Sequence, residues 1–131
     1  MSLKLISLPL LFVTLNACYN VERDCSFHKT GTYSFNYSVD GQPQNSIFKR
    51  TRKFNIDYLD GKADTSSIRW INDCEFILTK THPKNKTEEK AIHMKILSTT
   101  DTSYTFEYQL AVKEANKIQR VEQGEAIKID L

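Results

Sequence analysis

Apolar and polar residues alternate with a period of two along most of this 131-residue chain. The clearest run is Thr32 to Val39, where Tyr33, Phe35, Tyr37 and Val39 share one face and Thr32, Ser34, Asn36 and Ser38 the other. Successive side chains of a strand leave opposite faces, so this period predicts a half-buried strand. Asp40-Gly41 follows as a turn. Ile47 to Arg50 and Phe54 to Leu59 read as the next two strands, with Phe54, Ile56 and Tyr58 on one face of the second. Asp60-Gly61 marks another turn. Thr65 to Asn72 sets Ile68 and Trp70 against Ser67, Arg69 and Ile71, and Cys74 to Thr81 carries Cys74, Phe76 and Leu78 on one face. After a polar loop from His82 to Lys90, Ala91 to Ser98 sets Ile92, Met94 and Ile96 against His93 and Lys95. Ser103 to Leu110 sets Tyr104, Phe106, Tyr108 and Leu110 against Thr105, Glu107 and Gln109, and a weaker last segment holds Ile127, Ile129 and Leu131.

Helical periodicity is weak throughout this region. Only Ala111 to Val121, through Val112, Ala115 and Ile118, offers a short helix, with a loop as the alternative. The pattern therefore predicts an all-β domain over residues 31–131. Its architecture would be a single antiparallel meander of about eight strands, closed as a small barrel or left as a strongly curved sheet. A small barrel is filled by side chains or holds one small ligand. If it holds a ligand, Trp70, Phe35, Tyr37, Phe106 and Tyr108 are the candidate cavity wall, with a packed core as the competing role for Trp70.

The first residues break this pattern. Lys4 precedes an apolar run from Leu5 to Phe12 and on to Leu15, interrupted by Pro9. A basic start, a short apolar stretch and a small residue at its end describe a secretory signal-peptide helix. The run is shorter than the roughly 20 residues a membrane span needs. The alternative is an apolar first helix in a soluble protein, but nothing downstream would cover it. Leu15-Asn16-Ala17-Cys18 resembles the lipobox of bacterial lipoproteins, with Asn16 departing from the usual residue at its place. The resemblance implies a signal peptide over residues 1–17, acylation of Cys18, a tether over 18–30 and a membrane as partner. It places the protein in the bacterial cell envelope, lipid-anchored at the outer membrane and facing the periplasm or the cell surface. Each buried methylene of such an anchor adds about 0.8 kcal/mol.

Charge changes little. Eighteen basic residues stand against 16 acidic ones, a net of +2, and removal of Lys4 brings the balance closer to neutral. Such a balance selects no partner and argues against nucleic-acid binding. The cysteines say more. With Cys18 assigned to lipid, Cys25 and Cys74 remain, an even number in an oxidising compartment. A disulfide between them would close a loop of about 50 residues and stabilise by roughly 4 kcal/mol. Two buried free thiols are the alternative. Isolated cysteines lack the paired spacing of a zinc site, so no metal is expected.

Candidate chemistry is sparse. His28 falls in the tether, His82 in a loop and His93 on the polar face of a strand, with no two at ligand spacing. Glu88-Glu89 belongs to a charged loop, and Asp24 and Asp73 suit turns or caps. Lys49, Arg50, Arg52 and Lys53 form one basic cluster. It either contacts an anionic surface such as lipid or nucleic-acid phosphate, or charges a hairpin turn against edge-to-edge association. There is no glycine-rich phosphate loop, metalloprotease helix motif or nucleophile elbow, and no catalytic residue or cofactor is predicted.

Ile68-Arg69-Trp70-Ile71-Asn72-Asp73-Cys74-Glu75, with Asp24-Cys25 and Lys29-Thr30-Gly31-Thr32, resembles a signature of small bacterial envelope lipoproteins whose function is not characterised. The resemblance runs from the leader through about residue 110. Some relatives carry a DNA topoisomerase IV label, but this chain pairs an export signal with no room for cleavage and gate domains and no nucleotide site. The resemblance implies location and fold, and carries over no catalytic residue. The combined expectation is a non-enzymatic, lipid-anchored envelope protein that binds a small apolar ligand or an envelope protein. An accessory hydrolase is the second expectation, and a nucleic-acid-associated protein the third.

Overall fold

The computed structural model describes residues 23–130. The leader, for which a signal-peptide helix is expected, Cys18 and Leu131 lie outside the described residues. Eight strands follow one another in the chain: β1 (Gly31–Val39), β2 (Gln42–Arg50), β3 (Phe54–Leu59), β4 (Lys62–Asn72), β5 (Glu75–Lys80), β6 (Ile92–Thr99), β7 (Ser103–Leu110) and β8 (Glu122–Lys128). Each pairs antiparallel with the next, and β8 returns to β1 to close a barrel. Closure removes the unpaired edges that an open curved sheet would have to protect. The joint uses Tyr33 against Lys128, Ser34 against Ile127 and Phe35 against Ala126.

Two hairpins are set by Asp-Gly pairs. Asp40 and Gly41 have φ of 49° and 75°, and Asp60 and Gly61 have the same pair of values. Positive φ at both central residues matches the right-handed twist of the flanking strands. Polar Gln42 to Asn45, which show no apolar alternation, are drawn into β2 by the register of the first hairpin. The segment from Ala111 to Val121 forms a loop, without a helix.

The core lies at one end of the barrel. Tyr33, Phe76, Ile96, Tyr104 and Ala126 are at most 1% exposed, with Phe48 and Phe106 beside them. Beneath this core, Cys25 is bonded to Cys74, the pair expected once Cys18 is set aside. The bond pins a short 3-10 turn, Ser26–His28, across the barrel end. His28 thus departs from the solvated position expected of a tether: it is fully buried. Its Nε2 lies 2.9 Å from the Thr100 carbonyl, which can only accept. In the neutral ring Nδ1 then accepts from the Tyr33 hydroxyl at 3.1 Å.

Two strands turn the opposite face inward from the one their apolar residues suggest. Phe54 and Tyr58 are exposed, whereas Asn55 is buried in the barrel. In β8 Ala126 is buried and Ile127 points out. Register is the cause. Arg50 pairs with Asn55 and Phe48 with Asp57, so once Phe48 faces in, the two-residue period turns Asn55 and Asp57 in as well. Gly124 also faces inward, where a Cβ would lie 2.6 Å from the Phe35 ring and 2.9 Å from Phe106. The barrel interior consequently has one polar wall and one apolar wall.

Candidate ligand cavity

Above the core the barrel holds an open-mouthed cavity of about 390 Å³. That falls within the roughly 300–1,000 Å³ usual for small-molecule sites. Phe35, Phe48, Leu78, Ile92, Met94, Phe106 and Tyr108 give it an apolar wall. Arg50, Asn55, Asp57, Ser66 and Lys80 face them from β2 to β5. Thr87, Glu88 and Lys90, from the loop between β5 and β6, stand at the mouth.

The mouth is tied by ion pairs. Lys80 Nζ donates to Asp64 at 2.6 Å and to Glu88 at 2.7 Å. These bonds raise the Lys80 pKa and help to lower that of Glu88. Glu88 also accepts the Lys84 backbone N–H at 2.8 Å. Lys90 pairs with Glu114, which joins this loop to the loop between β7 and β8.

The deep end differs. Arg50 is 2% exposed. Its Nε donates to Asn55 Oδ1 at 3.3 Å, Nη1 to the His28 carbonyl at 3.3 Å and Nη2 to the Tyr104 hydroxyl at 2.7 Å. The rings of Phe76, Phe48, Tyr104 and Tyr33 surround the guanidinium carbon at 4.7 to 5.8 Å, which suits a weakly hydrated cation. Among the described residues no carboxylate lies within ion-pair distance of it. Asn55 carries the contact onward, donating from Nδ2 to Asp57 Oδ2 at 3.2 Å. Asp57 is held above the ordinary carboxylate range chiefly by burial, with Asp64 adding to the rise and the Asn55 bond, Arg50 and Lys80 opposing it. Burial likewise pushes the Tyr104 hydroxyl up, so it keeps its proton.

The Asp57 shift has a stability consequence. A folded-state pKa above the unfolded value means that the folded protein holds its proton to higher pH than the unfolded chain does. Stability is then lost as pH rises from the ordinary 3.8 through the raised value. Asp57→Asn keeps the shape and an acceptor for Asn55 without the charge. The variant is expected to melt higher than the wild type at pH 7, with the gap closing below pH 3.8. Melting curves at both pH values check this, and a wild type that melts higher at pH 7 would refute the buried-carboxylate account.

The residues expected at the site separate. Phe35, Phe106 and Tyr108 line the cavity. Tyr37 does not line it but stacks on Phe35 with ring centroids 5.8 Å apart. Trp70 shares the inward register yet lies at the closed end, packed on Phe76 at 4.7 Å and donating Nε1–H to the Arg52 carbonyl. The basic cluster divides: Lys49, Arg52 and Lys53 are exposed, while Arg50 leaves the surface for the interior because it lies two residues after inward Phe48. The histidines stay off the cavity, with His28 beneath it, His82 exposed on a loop and His93 directed outward 3.2 Å from Glu75. Against protein-family models, curated proteins and solved structures, the chain finds no match.

Arg50, Asn55, Asp57, Ser66 and Lys80 are site residues that the alternation pattern alone did not mark as inward. One signal was available for Arg50. Phe48 and Arg50 are separated by one residue, so a strand that buries the first buries the second.

Proposed function

We propose that this protein is a non-enzymatic, lipid-anchored binding protein of the bacterial cell envelope that holds one small, largely apolar ligand in its barrel. The observation that carries the binding role is the cavity: a barrel closed below by its disulfide-pinned turn, yet left open above its core along Leu78, Ile92, Met94 and Phe106. A protein that used its barrel only as a scaffold would gain by filling this space, since each unfilled methyl-sized void forfeits packing. The anchor rests on the leader and on Cys18, and the disulfide is consistent with the export that the leader predicts. Binding to an envelope protein keeps one observation in its favour, the outward apolar residues Ile47, Phe54, Tyr58 and Ile127.

Native mass spectrometry of the protein extracted from its own membranes tests both parts. A chain beginning at Cys18 with acyl mass, carrying one small non-covalent adduct, is expected. The adduct should be missing from Met94→Trp, which projects an indole into the cavity. An unprocessed chain without acyl mass would overturn the anchor, and a wild type without any adduct would overturn the ligand.

A further inference from the structure

The cavity floor holds hydrogen-bond donors that the protein leaves unspent. A guanidinium carries five N–H groups. Three are used, by Asn55, the His28 carbonyl and the Tyr104 hydroxyl, so Nη1 and Nη2 each retain one. Tyr104 accepts from Arg50, and among the described residues its own hydroxyl hydrogen reaches no acceptor. Both side chains line the cavity and both are almost fully buried. Ser66 adds a hydroxyl to the polar wall.

The charges along the cavity are matched unequally. Lys80 is matched by Asp64 and Glu88, and Lys90 by Glu114. Arg50 and Asp57 have no ion-pair partner among the described residues, and the hydrogen bonds that link them run through Asn55. Arginine does not give up its proton in proteins, whereas a buried carboxyl can take one up. Asp57 is already displaced in that direction. The charge that must remain at the floor is therefore positive, and a buried cation stays costly until a counter-charge with good geometry reaches it.

We propose that the ligand of this cavity is an anionic amphiphile, a medium-length chain ending in a single carboxylate. Its head accepts hydrogen bonds from Arg50 and Tyr104, and its chain lies against Phe106, Met94 and Leu78. This rests on the ligand-binding role proposed above and names the chemistry of the same site. A monoanion matches the one unpaired permanent cation. A carboxylate also suits the fork of a guanidinium, which presents parallel N–H donors. The charged mouth limits the chain, because Lys80 at the end of β5 and Glu88 and Lys90 of the following loop offer a tail no apolar continuation.

The test uses the full chain with Cys18→Ser, which prevents acylation, and with the Cys25–Cys74 bridge formed. Decanoate, decanol and decylammonium are titrated by calorimetry at neutral pH. Decanoate is expected to bind about tenfold or more tighter than decanol, the usual gain for hydrogen bonds to a charged group. Arg50→Gln should abolish that preference, Tyr104→Phe should reduce it, and Asp57→Asn should strengthen decanoate binding by removing a like charge. Tyr104→Phe deletes only a hydroxyl, so it reports on the head group even if Arg50→Gln fails to fold. Equal binding of decanoate and decanol would overturn the carboxylate head and leave the apolar cavity standing. Tighter binding of decylammonium would overturn it in favour of Asp57 as the head-group partner. Binding of none of the three would overturn the cavity's role as well.

Discussion

Removing the Cys25–Cys74 bridge, as the double variant Cys25→Ala with Cys74→Ala, is expected to lower stability by about 4 kcal/mol. The two cysteines are 49 residues apart, so the bridge closes a long loop in the unfolded chain and restricts it strongly. A domain of this size has about 5–15 kcal/mol in total, so the loss leaves it near the edge of folding. The effect should also be local. Cys25 holds the 3-10 turn that carries His28 under the core, and the His28 carbonyl accepts from Arg50. Without the covalent pin, the turn is held by the His28 bonds to Tyr33 and Thr100 and by Arg23 donating to the Ile96 carbonyl. Urea unfolding should show a lower midpoint and a somewhat steeper slope, because the unbridged unfolded chain exposes more surface, and amide exchange should rise first around Cys25 to Lys29. A midpoint change worth less than about 1 kcal/mol would mean that these non-covalent bonds suffice to hold the turn.

What was legible in the sequence follows from how the barrel distributes polarity. β1 and β7 alternate strictly, and β5 and β6 carry Phe76, Leu78, Ile92, Met94 and Ile96 at every second position, so there the alternation predicts both the strand and its inward face. β3 and β8 also show as strands, but with the wrong face inward. Asn55 and Asp57 face in because the cavity has a polar wall, and Gly124 and Ala126 face in because Phe35 and Phe106 fill the space beside them. Alternation records which residues differ, not which set is buried. Arg50 was hidden by its neighbours, since Lys49, Arg52 and Lys53 make the stretch read as a charged turn. His28 was hidden for a different reason. A short turn before the first strand carries no periodicity, and it is fixed against the barrel by the disulfide and by long-range hydrogen bonds that no local pattern encodes. Closure itself rests on the β1–β8 joint, a long-range pairing that no local pattern encodes.

Phe54 and Phe76 separate these two kinds of information experimentally. Each belongs to an alternating strand, and by alternation alone each belongs to a buried face. The barrel places them oppositely. Phe76 is 0% exposed, packs on Trp70 and has the Arg50 guanidinium carbon 4.7 Å from its ring. Phe54 is 42% exposed on the outer face, opposite Ser67. Phe76→Ala is expected to cost about 3–5 kcal/mol, from lost transfer energy and from a void that the surrounding rings fill only in part. Phe54→Ala should cost about 1 kcal/mol or less. Because the Phe76 void adjoins Arg50, water admitted there would hydrate the guanidinium and compete with any carboxylate for its free N–H groups. The less stable variant should therefore also be the weaker decanoate binder, while Phe54→Ala keeps wild-type affinity. Urea midpoints and calorimetry on the two variants check both expectations. If Phe54→Ala were the more damaging, β3 would face the other way, Asn55 and Asp57 would leave the cavity, and its polar wall with them.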